Sequence, residues 1–117
     1  MMSYETFKYA LVNGMPEQVQ WQAYQDLAAP ESKRVSRGGL TSAAAVDWNK
    51  PHAPLLITSG DKDNIIPARL NKRNFNKYAR NGSVLEYKEF EGRNHFVLGL
   101  PVWKEDADYI LNWLAKH

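Results

Sequence analysis

The feature that most constrains the fold is an apolar run at residues 54–58, "PLLIT", which leads directly into the turn sequence "SGDKDNIIP" at 59–67. An unbroken apolar run of this length, bounded by turn residues, is typical of a strand buried on both faces of a sheet. The turn contains two acidic residues, Asp61 and Asp63, and Pro67 suits the first turn of a following helix. The sequence therefore predicts a strand, an acidic turn and a helix, in this order.

The second half of the chain continues this alternation of strand and helix. Residues 67–81 have a helical pattern that ends at Asn81-Gly82, and 83–90 ("SVLEYKEF") alternate as a strand does. A loop at 91–101 then leads into an amphipathic helix at 102–116. Two strands joined through a helix are expected to be parallel, with a right-handed crossover. The predicted fold class is therefore α/β, with two parallel strands and flanking helices.

The faces of these two helices follow from the same periodicity. The basic face of residues 67–81 is interpreted as solvated rather than as a phosphate-binding surface, so no nucleic-acid partner is predicted. That face comprises Arg69, Arg73, Lys77 and Arg80, and the apolar face opposite comprises Ala68, Phe75, Tyr78 and Ala79. One face of the last helix carries Trp103, Ala107, Ile110, Leu111 and Leu114. We expect this face to be packed and Trp103 to lie in the core.

The first half of the chain is predicted to be helical. Residues 4–13 and 16–27 have apolar residues near a 3.6-residue period, whereas 30–50 give no clear pattern. We therefore divide the chain into a helical segment, 1–50, and a strand–helix–strand–helix segment, 51–117, which together form one compact unit.

Composition narrows the class of protein. The chain has 117 residues, enough for one domain, and it contains no cysteine, which excludes disulfides and thiolate metal sites. The lack of cysteine fits a reducing compartment, so a cytoplasmic location is expected. The sequence shows neither a signal peptide nor an apolar stretch long enough to cross a membrane, and its net charge of +2 indicates no particular partner.

Two side chains with complementary chemistry follow the two predicted strands. Asp63 comes after the first strand and His95 after the second, and groups beyond the carboxyl ends of neighbouring parallel strands lie close together. A carboxylate that accepts the Nδ1 proton of an imidazole orients the ring and stabilises its protonated form. Asp61 is the competing acid and is interpreted as a turn residue. Glu91 and His95 are four residues apart, but they lie in a loop, so neither a metal nor a cofactor is predicted.

These motifs resemble the C-terminal part of the α/β-hydrolase family. Gly60-x-x-Asp63, followed by an apolar pair and Pro67, resembles the family's acid turn, and Gly92-x-x-His95 resembles its histidine turn. The resemblance covers about residues 54–116. It implies a partial α/β-hydrolase fold, an ester-type substrate, and roles for Asp63 and His95 as the acid and the base of a Ser-His-Asp triad. It also implies that the helical segment, 1–50, corresponds to part of a cap.

The nucleophile of such a triad is missing from the sequence. The family carries its serine on a Gly-x-Ser-x-Gly turn, and the nearest string, "RVSRG" around Ser36, has Arg34 in place of the first glycine and no buried strand before it. We therefore expect a truncated hydrolase that is inactive alone. Two alternatives stay open, which are a non-catalytic binding or assembly module and a subunit that receives its serine from another chain.

Self-association is the expected mode of partnership. A sheet of two parallel strands is rarely stable alone, and the free edge of residues 54–59 is apolar. We predict a homo-oligomer that forms through this strand edge or through exchange of the N-terminal helices.

Overall fold

The computed structural model describes residues 1–30, 32–78 and 82–117, which form a small α/β fold. Helices and a two-stranded parallel sheet alternate in its second half, after a helical first half. The elements are α1 (Tyr4–Ala10), α2 (Glu17–Leu27), α3 (Lys33–Gly38), β1 (Leu55–Gly60), α4 (Ala68–Tyr78), β2 (Leu85–Phe90) and α5 (Trp103–Leu114), with short 3₁₀ turns at Ser42–Ala44 and Val97–Gly99. Within the described ranges, no helix combines the length and the apolar character needed to cross a bilayer.

The predicted parallel pair of strands is confirmed. β1 and β2 pair in register from Leu55 opposite Leu85 to Gly60 opposite Phe90. The two strands therefore end at the same edge of the sheet, which is where the two predicted site loops begin.

The two faces of the sheet contact different helices. On one face Tyr87 of β2 stacks against Phe75 of α4, with ring centroids 5.8 Å apart. On the other face Phe90 meets Tyr109 of α5 edge-on at 5.5 Å. β1 is nevertheless not fully buried as the sequence predicts, because its residues 55–58 are half-buried and only Ser59 is buried. The described residues provide no third strand beside β1 to complete its burial.

The core of the described residues is centred on the N-terminal helices. Phe7, Val12 and Ala23 are buried together, and Tyr24 and Phe96 pack against them. Both predicted N-terminal helices are present, but α1 is shorter than predicted because the chain turns after Ala10 and passes through Gly14 at a φ of +78°. A helix-rich segment is thereby packed against the loop that carries His95.

The predicted packed face of α5 is wrong at three of its five residues, whereas Ala107 and Ile110 are half-buried. Trp103 is 50% exposed, and Leu111 and Leu114 are also exposed. The buried residues of α5 are Asp106 and Trp113, which place the packed face about 100° around the helix from the predicted one. Asp106 on this observed face forms an ion pair with Arg93 of the loop after β2, a contact that helical periodicity does not encode.

The basic face of α4 is exposed where it is described. Arg69, Arg73 and Lys77 are exposed, and the Lys77 ammonium lies 4.6 Å from the ring centroid of Trp48. Ala79, Arg80 and Asn81, which the sequence assigns to the helix faces and the helix end, lie outside the described residues.

Candidate active site

The acid turn after β1 holds one carboxylate oxygen of Asp63 through the backbone. The Asp63 N–H donates to the Gly60 carbonyl at 3.3 Å, which closes the turn. Asp63 Oδ1 accepts hydrogen bonds from the N–H groups of Ile65 at 2.8 Å and Ile66 at 2.9 Å. A short acidic side chain that caps the amides two and three residues later is a stable local arrangement. The backbone of the turn itself therefore orients the carboxylate.

The histidine loop after β2 is tied to the acid turn by two further hydrogen bonds. Gly92 has a φ of +73°, and its N–H donates to Asp61 Oδ1 at 2.6 Å. The Lys62 N–H donates to the Arg93 carbonyl at 2.9 Å. Asp61, interpreted from sequence as a turn residue, thus joins the two loops.

Arg93 also anchors the histidine loop to α5. Its guanidinium bonds to both carboxylate oxygens of Asp106 and to Glu105, with the shortest contacts 2.8 Å and 2.7 Å. These two carboxylates hold the pKa of Arg93 above its usual value, against the opposing effect of burial. Planar, bidentate pairing of this kind fixes geometry as well as charge.

Asp63 and His95, the two predicted site residues, lie within hydrogen-bond distance. His95 Nδ1 is 2.9 Å from Asp63 Oδ2, the carboxylate oxygen that the backbone amides leave available. The side chains are 30% and 13% exposed, so the pair is sheltered but His95 is still accessible. An ionised Asp63 accepts the Nδ1 proton, which leaves the Nε2 lone pair of the neutral ring free to accept another proton.

The environment of Asp63 favours its ionised form. Burial is the largest influence and by itself would raise the pKa of the carboxyl. The hydrogen bond from Ile66, those from His95 and Ile65, and the charge of His95 together outweigh burial, so the pKa of Asp63 lies below its ordinary value of 3.8. Asp63 is therefore a carboxylate at neutral pH and is suited to orient an imidazole.

The helical N-terminal segment is bonded to both site loops through asparagine side chains. Each asparagine amide donates to a backbone carbonyl across the junction, and one backbone N–H of the histidine loop also donates to a carbonyl of the helical segment. The contacts are Asn13 Nδ2 to Lys62 O at 2.9 Å, Asn64 Nδ2 to Tyr9 O at 2.9 Å, Asn94 Nδ2 to Asn13 O at 2.8 Å, and Phe96 N–H to Leu11 O at 3.1 Å. Sequence reasoning missed these residues, since carbonyl acceptors have no residue-specific signature.

A cavity of about 350 Å³ lies beside the Asp63–His95 pair. Its walls are mostly apolar, and it includes the carboxyl end of β1 and one face of α5; among its lining residues are Thr58, Gly60, Phe90, His95, Trp103 and Ile110. Ser59 also borders the cavity, but its hydroxyl bonds to the Tyr87 hydroxyl at 2.6 Å on the α4 side of the sheet. The other serine considered from sequence, Ser36, has a side chain outside the described part of the structure.

Metal binding has no geometric support in the part of the chain that is described. Among those residues, no three His, Asp or Glu side chains are grouped so that they could hold an ion. The site is thus characterised by a carboxylate, an imidazole and an adjoining apolar cavity.

Comparisons of this chain with protein-family models, with curated proteins and with solved structures found no match.

Proposed function

We propose that this chain supplies the acid and the base of a serine-hydrolase site of the α/β-hydrolase kind, with His95 as general base and Asp63 as the residue that orients it. The observation that carries the proposal is the 2.9 Å contact between His95 Nδ1 and Asp63 Oδ2, together with the backbone amides that hold Asp63 Oδ1. One carboxylate oxygen is held by the backbone and the other contacts the imidazole. This arrangement suits an acid that must keep an imidazole in one tautomer. The order of the acid and the histidine along the chain agrees with the family's order.

The proposed chemistry needs a serine that the sequence does not supply on a Gly-x-Ser-x-Gly turn. A serine hydroxyl from another segment or chain would give its proton to His95 Nε2 as its oxygen attacks an ester carbonyl. Asp63 would stabilise the resulting imidazolium, and His95 would then give the proton to the departing alcohol. By itself, this chain is therefore expected to be inactive toward esters.

The absence of a reactive serine is tested with a fluorophosphonate probe and an activated p-nitrophenyl ester. We expect no serine to be labelled and no ester turnover above the His95→Ala background. A serine that is labelled in the native chain but not in His95→Ala would contradict the proposal that the nucleophile is absent.

The state of His95 is tested separately through its reactivity. Diethyl pyrocarbonate modifies an unprotonated imidazole nitrogen, and peptide mass spectrometry gives the rate for each histidine. We expect Asp63→Asn to slow modification of His95, because the asparagine amide donates to Nδ1 and leaves the proton on Nε2. Asp61→Asn is the matched control, with His52 and His117 as internal references. Equal rates at His95 in both variants would argue against the orienting role of Asp63.

A second candidate function, a non-catalytic assembly module, is supported by different residues. The apolar face of α5 is exposed at Trp103, Leu111 and Leu114, and within the described residues no strand lies beside the outer edge of β1. This alternative predicts that His95→Ala and Asp63→Asn leave the biological role of the protein intact, whereas the hydrolase proposal predicts its loss.

A further inference from the structure

The free edge of β1 carries three residues whose backbone groups face away from β2. The Leu55 N–H donates to Val84 O and the Asp61 N–H donates to Phe90 O, so the odd-numbered residues of this segment pair with β2. Backbone groups alternate in direction along a strand, so Leu56, Thr58 and Gly60 point their N–H groups toward the other edge, as does the carbonyl of Leu56. The Thr58 carbonyl accepts from Asn71 Nδ2 at 3.4 Å and the Gly60 carbonyl accepts from the Asp63 N–H at 3.3 Å, so each has one remaining lone pair. Among the described residues, no strand lies along that edge.

The cavity of about 350 Å³ beside Asp63 and His95 extends along the last three residues of β1, Thr58–Gly60. Asn71 borders it on the α4 side of the sheet, residues 58–60 form its floor, and Ala107 and Ile110 border it on the α5 side. A space that lies beside a strand edge, between the helices of the two sheet faces, has the position of an additional strand. We refer to it as the edge slot.

The two outer edges of the sheet differ in charge. β2 carries Glu86, Lys88 and Glu89, and charged side chains on an edge strand discourage pairing with another chain. β1 has the sequence "LLITSG", with no charge and no proline. Only the β1 edge therefore lacks protection against the addition of a strand.

We propose that the edge slot binds β1 of a second copy of this chain, in antiparallel orientation and centred on Thr58. Thr58 then faces Thr58 of the partner copy, and Leu56 faces Gly60 on either side. This register offers up to about six backbone hydrogen bonds, about four of which use the second lone pair of a Thr58 or Gly60 carbonyl, and it creates a four-stranded sheet. The two-fold axis is normal to the sheet, so equivalent helices of the two copies lie on the same face.

The spacing of the helices fits this arrangement. α4 contacts both β1 and β2, so it lies above the line between them. In the four-stranded sheet the two copies of α4 are two strand spacings apart, which is roughly 10 Å and is a normal distance for packed helices. On the opposite face, the exposed apolar residues Trp103, Leu111 and Leu114 of each α5 gain a partner surface. The association needs neither catalysis nor a serine, so it goes beyond the proposed function.

Residue-resolved amide hydrogen exchange, combined with sedimentation velocity, tests the proposal in the intact chain. We expect a dimer at high concentration in which the amides of Leu56, Thr58 and Gly60 are protected. Dilution to the monomer should remove this protection, whereas Leu55 and Ile57 should stay protected by β2. A monomer at all concentrations, or a dimer whose Leu56, Thr58 and Gly60 amides exchange freely, would overturn the proposal; the second result would point to helix exchange instead.

A pair of proline variants provides an independent test. Thr58→Pro removes an N–H from the free edge of β1, and Glu89→Pro removes one from the outer edge of β2, so neither deletes a bond between the two strands. We expect Thr58→Pro to raise the dimer dissociation constant on the order of tenfold or more, because two intermolecular bonds are lost by symmetry. Glu89→Pro should leave it unchanged. Equal dissociation constants in folded samples of both variants would contradict the proposed register.

Discussion

His95 Nδ1 lies 2.9 Å from Asp63 Oδ2, although 32 positions separate the two residues in the chain. Parallel pairing of β1 and β2 brings the two loops to one edge of the sheet, and backbone contacts then align them. The Gly92 N–H bonds to Asp61 and the Lys62 N–H bonds to the Arg93 carbonyl. The approach of the acid and the base is therefore fixed largely by main-chain groups.

The stability of the fold should fall at acid pH partly because of Asp63. Its pKa in the folded chain is below the ordinary value of 3.8. The carboxylate therefore stabilises the fold fully above that value, and this contribution is lost as the pH falls through 3.8 toward the lower folded-state pKa. We expect Asp63→Asn to lower the free energy of unfolding by about 1–2 kcal/mol at pH 7 and by less at low pH.

Urea unfolding at neutral and acid pH measures this difference. The exposed Asp26→Asn is the control, because Asp26 bonds only to its neighbour Gln22 on α2 among the described contacts, and it should change stability little. A loss of stability in Asp63→Asn that is the same at both pH values would show that ionisation of Asp63 does not stabilise the fold.

The two carboxylates that contact Arg93 should contribute very unequally to the stability of the fold. The Asp106 side chain is 6% exposed, whereas that of Glu105 is 68% exposed. Removing one partner of a buried ion pair costs about 3–5 kcal/mol, while an exposed ion pair contributes about 0–1 kcal/mol. We expect Asp106→Ala to destabilise the fold by the larger amount and Glu105→Ala by the smaller, as measured by denaturant unfolding. Similar losses in the two variants would mean that Asp106 does not anchor the loop.

Gly60 should not tolerate a side chain. A Cβ at this position would overlap the carbonyl of Arg93, which approaches the end of β1 as the loops join. Gly60→Ala should therefore separate the two loops and cost about 1–3 kcal/mol. Gly38→Ala is the matched control, since a Cβ there meets no atom within 4 Å and alanine favours the helix. Thermal unfolding compares them, and equal melting temperatures would rule out the close approach at Gly60.

Asn94 should stabilise the junction between the N-terminal helices and the histidine loop. It is 4% exposed, donates to Asn13 O at 2.8 Å and accepts from the Phe96 N–H at 2.9 Å. Asn94→Ala leaves the Asn13 carbonyl without this donor, which costs about 1–3 kcal/mol at most, while the Phe96 N–H keeps its hydrogen bond to Leu11 O at 3.1 Å. Gln22→Ala, which removes an exposed side-chain contact within α2, should cost little. Limited proteolysis compares the two variants. Faster cleavage within residues 1–30 in Asn94→Ala but not in Gln22→Ala would support the role of Asn94, and equal cleavage in both variants would exclude it.

The strands, the larger helices and the Asp63–His95 pair could be predicted because their signals are local. An apolar run followed by an acidic turn predicts β1 at nearly its observed position, and parallel pairing then predicts that the two loops meet. The short helix α3 was not predicted from the sequence. A serine is a common N-cap residue and therefore a signal for the start of a helix. Ser32 has this role, since its side chain accepts from the Arg34 N–H at 3.2 Å.

The rotation of α5 could not be predicted from periodicity. Trp103 lies on the most apolar face, but another face, on which Asp106 pairs with Arg93, is turned toward the sheet. Arg93 and Asp106 are 13 residues apart, and a helical pattern contains no information about such a partner. Part of the apolar face of α5 borders the edge slot, through Trp103, Ala107 and Ile110.

The central claim, that Asp63 orients His95 as a base, is tested most directly by the ¹⁵N spectrum of the His95 ring. We expect the neutral ring of the native chain to carry its proton on Nδ1, with a hydrogen-bonded Nδ1–H signal, and to move its proton to Nε2 in Asp63→Asn. Asp61→Asn should keep the native pattern. A native ring already protonated on Nε2, or one that Asp63→Asn does not change, would contradict the account.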